Sequence, residues 1–381
     1  MTRFLGKYCS TELVNPERQK EVDFAKALII FSLAFVHITI ESCTDEQLIS
    51  GMPFVFDSII GGPFGASVFM LSMGFGMVYG RNKTPKAFIK RGMTIAIGGF
   101  VLNVFRFLIP FLIGFKITGD VGQYIEPLWY RFFGNDILQF APLAFFLMAL
   151  LLKLKVKPGG MFLIALLMNI AGQFFNGIDF NSPVLNVALG YIVGTEDAAG
   201  MVFSDFPLLN WFIVPTAGYI FGYLDIRMTK ENELKWYKLT APIAVIFTVV
   251  YIFVGIKLEL GMFGEGQNCY YHVSTPDVIC CIVSSYSLIC ICYFVGKIIP
   301  KWFERLQYII SSNITEIYCI HWVLISFIVR LWIYCVKGTQ IIPYKYVMLL
   351  AFAIMVVSII IAYCWSLFRK ILKQRRNNEK A

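Results

Sequence analysis

The sequence predicts an all-α, polytopic membrane protein, a helix bundle with about ten transmembrane helices and both termini cytoplasmic. Three observations carry this reading. Of 381 residues, 58% are hydrophobic and 15% charged, whereas soluble domains run near 45–50% and 25%. Apolar stretches long enough to cross a bilayer recur at about 24–43, 54–80, 92–115, 137–152, 159–176, 206–225, 239–256, 278–296, 314–335 and 346–368. The basic residues, finally, alternate from loop to loop as the positive-inside rule requires.

An even number of spans returns both termini to one side. With that side in the cytoplasm, the inner segments 1–22, 81–91, 153–157, 226–238, 297–305 and 369–380 hold 25 of the 33 Lys and Arg. The outer loops hold five, namely Lys116, Arg131, Lys257, Lys337 and Lys345. Lys26, Arg106 and Arg330 remain within spans. This bias accounts for the net charge of +9 without a polyanion, so the expected partner is the lipid bilayer and not nucleic acid. Residues 1–22 read as a cytoplasmic N-terminal segment, 23–369 as the transmembrane domain and 370–381 as a basic cytoplasmic tail. The expected location is the plasma membrane, multi-pass. No cleavable signal peptide is expected, because Met1 to Glu21 is polar and the first apolar run continues as a full span.

The longest outer segments, 177–205 and 257–277, are too short for a core of their own but long enough to cap a site. Residues 184–194 are apolar yet shorter than a span, which suggests a re-entrant or interfacial piece. Most of the ten cysteines lie in apolar runs as small buried hydrophobes. Cys43 and Cys269 fall on the same side, which leaves room for a disulfide. No CxxC pair has zinc spacing, so no metal is expected. No internal repeat is evident, which weakens an inverted-repeat transporter.

Charges inside hydrocarbon need a partner, a wet cavity or a function. In the first span Lys26 and His37 are eleven residues apart, about 16 Å along one helix face, and Asp23 is one turn before Lys26 and can pair with it. The bland reading has Lys26 snorkelling and His37 hydrogen-bonding to a neighbouring helix. The second span is rich in Gly, including Gly74 beside Ser72; close helix packing is the ordinary explanation, and backbone contact to a ligand is the other. The loop after it concentrates Arg81, Lys83, Lys86, Lys90 and Arg91, which suits anionic lipid or a nucleotide phosphate equally. In the ninth span Glu316, His321 and Arg330 lie in apolar sequence; Glu316 is near enough to the cytoplasm to reach water, and His321 is buried in any placement. Arg106 calls for a carboxylate such as Asp136 or Asp57. His272, in an outer loop, reads as solvated.

These residues resemble the membrane acyltransferases, namely acyltransferase family 3 and the related heparan-alpha-glucosaminide N-acetyltransferase-like proteins. Asp23, Lys26 and His37 resemble that superfamily's first-helix pattern of Asp-x-x-Arg, ten residues, then His. Further similarities follow in order: VFMLSMGFG (68–76), KAFIKRG (86–92), DILQFAPLAFF (136–146), FPLLNWFIVPTAGYIFGY (206–223) and ISSNITEIYCIHWVL (310–324). The resemblance implies transfer of an acyl group, commonly acetyl, from cytoplasmic acyl-CoA as co-substrate to a glycan or other envelope acceptor, with no tightly bound cofactor. It implies His37 as the catalytic base, with His321 the second candidate. Lys26 and Arg91 are implied at the donor's charged end, where Arg81, Lys83 and Lys90 would add phosphate contacts. Asp23, Ser72, Gly74, Arg106, Glu316 and Arg330 would support the site, with oxyanion donors sought near Ser72, Gly74 or His321. One departure is that Lys26 stands where the pattern has Arg, and an ammonium cannot make the bidentate fork of a guanidinium. Two rival readings stay open on the residues alone: a transporter or flippase of a lipid-linked or small charged solute, and a non-catalytic partner of an envelope-assembly complex.

Overall fold

The computed structural model describes residues 5–119, 128–198, 200, 202–264 and 268–378. Among them the only extended pairings are three isolated bridges; everything regular is helical. Among the described residues eight helices are long and apolar enough to cross a membrane: α1 (Lys20–Ser42), α2 (Gly51–Tyr79), α3 (Pro85–Thr118), α4 (Leu128–Lys153), α8 (Lys230–Leu258), α9 (Thr275–Val295), α11 (Ile314–Lys337) and α12 (Tyr344–Asn378). The chain is a multi-pass membrane protein. Between these run α5 (Pro158–Gln173), α6 (Pro183–Gly190), α7 (Ile213–Asp225) and α10 (Lys301–Ser312).

Two of the ten expected spans are therefore shorter than expected. At about 1.5 Å per residue, the 16 residues of α5 and 13 of α7 fall below the roughly 30 Å of a bilayer core. The run 206–225 is apolar for another reason: Trp211, Phe212, Ile213 and Val214 are all 0% exposed, so it packs as core. Residues 184–194, expected as a short non-spanning piece, form α6.

The chain divides into two compact units. The first comprises Met1–Val22, Gly62–Asn103 and Tyr124–Phe294. Here α2 crosses α7 with backbone against backbone. A Cβ on Gly74 would lie 1.8 Å from the Pro215 carbonyl oxygen, and one on Gly218 would lie 1.9 Å from that of Leu71. Only glycine permits that approach. The N-terminal segment is strapped to the turn between α7 and α8, where Ser10 N donates to Arg227 O at 2.8 Å and Val14 N to Ile226 O at 3.0 Å. α4 breaks at 134–136, where Asp136 restarts the helix by accepting from Ile137 N at 2.6 Å.

The second unit comprises Asp23–Gly61, Val104–Gln123 and Val295–Ala381. Its core is the inner face of α1, with Ala25, Ile30, Ala34 and Ile38 all 0% exposed. Besides the π stretch of α2 at Val55–Gly65, α3 widens into a π turn at Val104–Leu108 and α11 at Ser326–Ile333. α10, expected as a loop, is amphipathic: Gln307, Ile310 and Ser311 are buried while Lys301, Trp302 and Arg305 are exposed, the pattern of a helix lying at an interface. α12 continues helically to Asn378, through residues 370–378 of the expected basic tail.

Candidate functional site

The second unit brings together seven of the residues singled out above. At its centre His37 of α1 and His321 of α11 are joined by a hydrogen bond, Nδ1 to Nε2 at 2.9 Å. Their rings are nearly coplanar in orientation, 14° apart with centroids at 5.2 Å. His321 is 0% exposed, whereas His37 is half-buried. The other nitrogen of His321, Nδ1, lies 3.2 Å from the Ile317 carbonyl oxygen one turn back. A carbonyl only accepts, so Nδ1 of His321 carries the proton. In neutral His321 its Nε2 is then the acceptor, and Nδ1 of His37 is the donor. That fixes the tautomer of neutral His37: its Nε2 holds a lone pair and makes no hydrogen bond among the described residues.

Aromatic and cationic groups enclose this dyad. Trp322 stacks on His37, with centroids 4.2 Å apart and planes at 24°. Its indole is 6% exposed, and the Nε1–H has no acceptor among the described residues. The Arg106 guanidinium lies 3.3 Å from the Trp322 ring centroid and 4.7 Å from that of Phe107. Of the carboxylates expected near Arg106, Asp136 caps α4, and Asp57 accepts from Ser58 Oγ at 3.3 Å. Arg330 forms a fork on Glu41, with Nε donating to Oε2 at 2.8 Å and a second bond from NH2 to Oε1. Both arginines sit in the π turns, which displace a side chain inward where a regular helix would aim it elsewhere.

Lys26 pairs with Asp23 at 2.9 Å, as its spacing predicted, and Asp23 also accepts from Ser311 Oγ at 2.6 Å. Glu316 pairs with Arg369 of α12 at 2.5 Å. Glu41 and Trp322 were not singled out by the sequence. Glu41 is one turn beyond His37 and Trp322 follows His321, so adjacency was the only signal for either.

The remaining candidates belong to the first unit. Arg81, Lys83, Lys90 and Arg91 are exposed, and Arg91 stands 5.9 Å from the Phe145 ring centroid. Gly74 is filled by the α7 crossing. The Ser72 hydroxyl is buried with no hydrogen-bond partner among the described residues. His272 corrects an expectation: it is not solvated but 6% exposed, with Nε2 at 3.0 Å from both Oγ and the carbonyl oxygen of Ser204. Burial holds its pKa down to about 4. The outer segments thus knit together through buried polar groups, with Asn176 Nδ2 donating to His272 O at 2.8 Å and Asn210 Nδ2 to Asn176 Oδ1 at 2.9 Å. Cys43 is a free thiol; the side chain of Cys269, its expected partner, lies outside the described residues. No group of three metal-ligating side chains occurs among the described residues.

Residues 18–254 match the family model described as heparan-alpha-glucosaminide N-acetyltransferase, catalytic. The match spans more than half of the chain and includes Asp23, Lys26, His37 and Arg106, and the chain belongs to this family. It is a membrane acetyltransferase of a family that depends on acetyl-CoA. A search of curated proteins finds no match to the chain. His321, Trp322 and Arg330 fall beyond the matched region, so their place beside His37 is known from the fold alone.

Proposed function

We propose that this enzyme carries an acetyl group from cytoplasmic acetyl-CoA to a carbohydrate acceptor on the far side of the plasma membrane, with His37 as general base. The observation that supports it is the direction of the hydrogen-bond chain. Ile317 O accepts from His321 and His321 accepts from His37, which leaves the Nε2 lone pair of His37 on the more exposed side of the dyad. As the acceptor's amine or hydroxyl attacks the thioester carbon, its proton passes to that Nε2. The carbon–sulfur bond then breaks and the CoA thiolate recovers the proton. Throughout, His321 keeps its bond to Nδ1–H and so holds the ring in place.

Negative charge develops on the acyl oxygen during this step. The Trp322 N–H, buried and in contact with His37, is the donor best suited to receive it, with Arg106 against the indole adding positive potential. His321 is less suited because both of its nitrogens are already engaged. The Arg330–Glu41 fork neutralises the other buried cation and braces α1 against α11. As separate candidates for the donor's charged end, Lys26 of the second unit would exchange Asp23 for it, and the cationic loop 81–91 of the first would hold phosphate. The acceptor class follows the family's description, which names a glucosamine.

Label transfer in inverted vesicles tests the proposal. Radioactive acetyl-CoA supplied at the cytoplasmic face should label glucosamine-terminated saccharides enclosed in the lumen, and His37→Gln vesicles should not. Uptake of the saccharide without acetylation would overturn the reading in favour of a transporter.

A further inference from the structure

The first unit contains a cleft of ≈ 200 Å³ whose lining includes Leu13, Lys83, Phe88, Tyr219, Tyr223 and Arg227. We propose that this cleft receives the adenine nucleotide end of CoA. The inference rests on the acetyl-CoA reading above and says where the donor's charged end docks.

Four observations meet here. The lining comes from segments far apart in sequence: the N-terminal strap, the loop after α2, the end of α4 at Leu152, and the turn after α7. Positive-inside counting puts all four on the cytoplasmic side, where CoA is supplied. Two cations flank the cleft, and neither Lys83 nor Arg227 forms an ion pair among the described residues. Arg227 is nevertheless held in place: its guanidinium lies 3.7 Å from the Tyr223 ring centroid, and NH1 donates to Tyr223 O at 2.8 Å. Its other N–H donors remain for a phosphate, which an oriented guanidinium binds with little further ordering. Of the aromatic rings in the lining, Tyr219 supplies a flat face of the kind on which a base stacks, Tyr223 carries Arg227 on its ring, and Phe88 is 4% exposed and packs on Phe145.

Size sets which part of the donor fits. Sites that bury a whole drug-sized ligand run about 300–1,000 Å³, so ≈ 200 Å³ suits one end of CoA and leaves the pantetheine arm outside. A second cavity of this unit, ≈ 20 Å³ and lined by Asp225, Tyr237 and Tyr286 among others, has room for about one water and is acidic. It cannot take an anion. An anionic lipid headgroup shares the phosphate chemistry but makes no use of the Tyr219 face, which favours the nucleotide.

The probes are adenosine 3′,5′-bisphosphate, acetyl-CoA and S-acetyl-pantetheine, titrated calorimetrically into the full chain in phosphatidylcholine nanodiscs. The bisphosphate should compete with acetyl-CoA. Lys83→Gln and Arg227→Gln should each weaken both nucleotides about tenfold, the loss of one charge-assisted contact. Binding of S-acetyl-pantetheine should be unchanged in either variant. Lys83 is exposed, so its replacement keeps the test independent of folding. Acetyl-CoA bound as tightly by both variants as by the wild type would remove the cleft from the donor site while leaving the donor reading intact. Wild-type protein that binds no acetyl-CoA would end the donor reading and the cleft with it. If added phosphatidylglycerol stabilises the protein through Arg227 while the bisphosphate does not bind, the cleft is a lipid site and the proposal fails.

Discussion

If His321 serves only to hold His37 in its reactive tautomer, the two histidines should respond differently to the same replacement. His37→Gln removes the group that takes the proton. Its cost should be that of a lost general base, about 10²–10⁴-fold in turnover. His321→Gln keeps an amide oxygen near the position of Nε2, which can still accept from Nδ1–H of His37; turnover should stay within about fivefold of wild type. His321→Leu removes the acceptor altogether. A donor left unsatisfied in a buried site costs about 1–3 kcal/mol, and at 1.36 kcal/mol per decade that is roughly 5- to 150-fold. The loss should appear in kcat with KM for acetyl-CoA unchanged, since the donor end is not touched. The same unsatisfied Nδ1–H of His37 should also lower thermal stability in His321→Leu by up to about 1–3 kcal/mol, so turnover is read on protein that remains folded. The assay is acetyl transfer in vesicles, normalised to the amount of protein in the membrane. Were His321→Gln to fall as far as His37→Gln, His321 would itself be exchanging the proton. A fully active His37→Gln enzyme would refute the base assignment outright.

Three further outcomes follow from the packing. Arg330→Met should cost about 3–5 kcal/mol in detergent melts by removing the fork from the half-buried Glu41 carboxylate, and adding Glu41→Leu should restore most of that loss; simple additivity would mean the fork carries no coupling. His272, held at about 4, lies below the roughly 6.5 of an unfolded histidine. Between those values the unfolded chain binds a proton that the fold does not, so stability declines as pH falls through that window, by about 3 kcal/mol in all, and is flat above it. Melting scans from pH 8 to 4 should show that slope in the wild type and lose it in His272→Asn; a slope that persists would point to another group. Gly218→Ala places a methyl 1.9 Å from Leu71 O and should cost more than the ~1–3 kcal/mol of ordinary overpacking, whereas Gly98→Ala, with nothing within 4 Å, should be tolerated. Equal membrane abundance of the two variants would contradict the close α2–α7 crossing.

Hydropathy and charge made the helical membrane class legible because the bilayer imposes length and composition on each crossing directly. Local pairs were legible too: Asp23 and Lys26 lie one turn apart, and they are bonded. Residues far apart in sequence were not. His37 and His321 appeared as two separate candidates, and no spacing rule joins positions in different helices. Glu41 went unnoticed because its partner Arg330 arrives from α11. The indole face of Trp322 against Arg106 was not legible either, because charge logic looks for a carboxylate and not for an aromatic ring. His272 read as solvated because the outer loops look polar; their folding onto each other buries it. The burial of 211–214 was not legible either, because an apolar run packed inside protein reads like one facing lipid.

The π turns around Arg106 and Arg330 bear on how such a site arises and how it could be altered. A π turn holds one residue more than the α-helical turn it interrupts. Each added residue advances an α-helix by about 100°, so an insertion absorbed locally leaves the helix on either side undisturbed while swinging one side chain to a new bearing. At 104–108 and 326–333 the natural unit of variation is therefore a residue gained or lost, not one exchanged for another. Relatives of this enzyme aligned without single-residue gaps at these two places would pair the wrong positions with its arginines, and removing one residue there is a route to withdrawing the charge from the site while sparing the bundle that surrounds it.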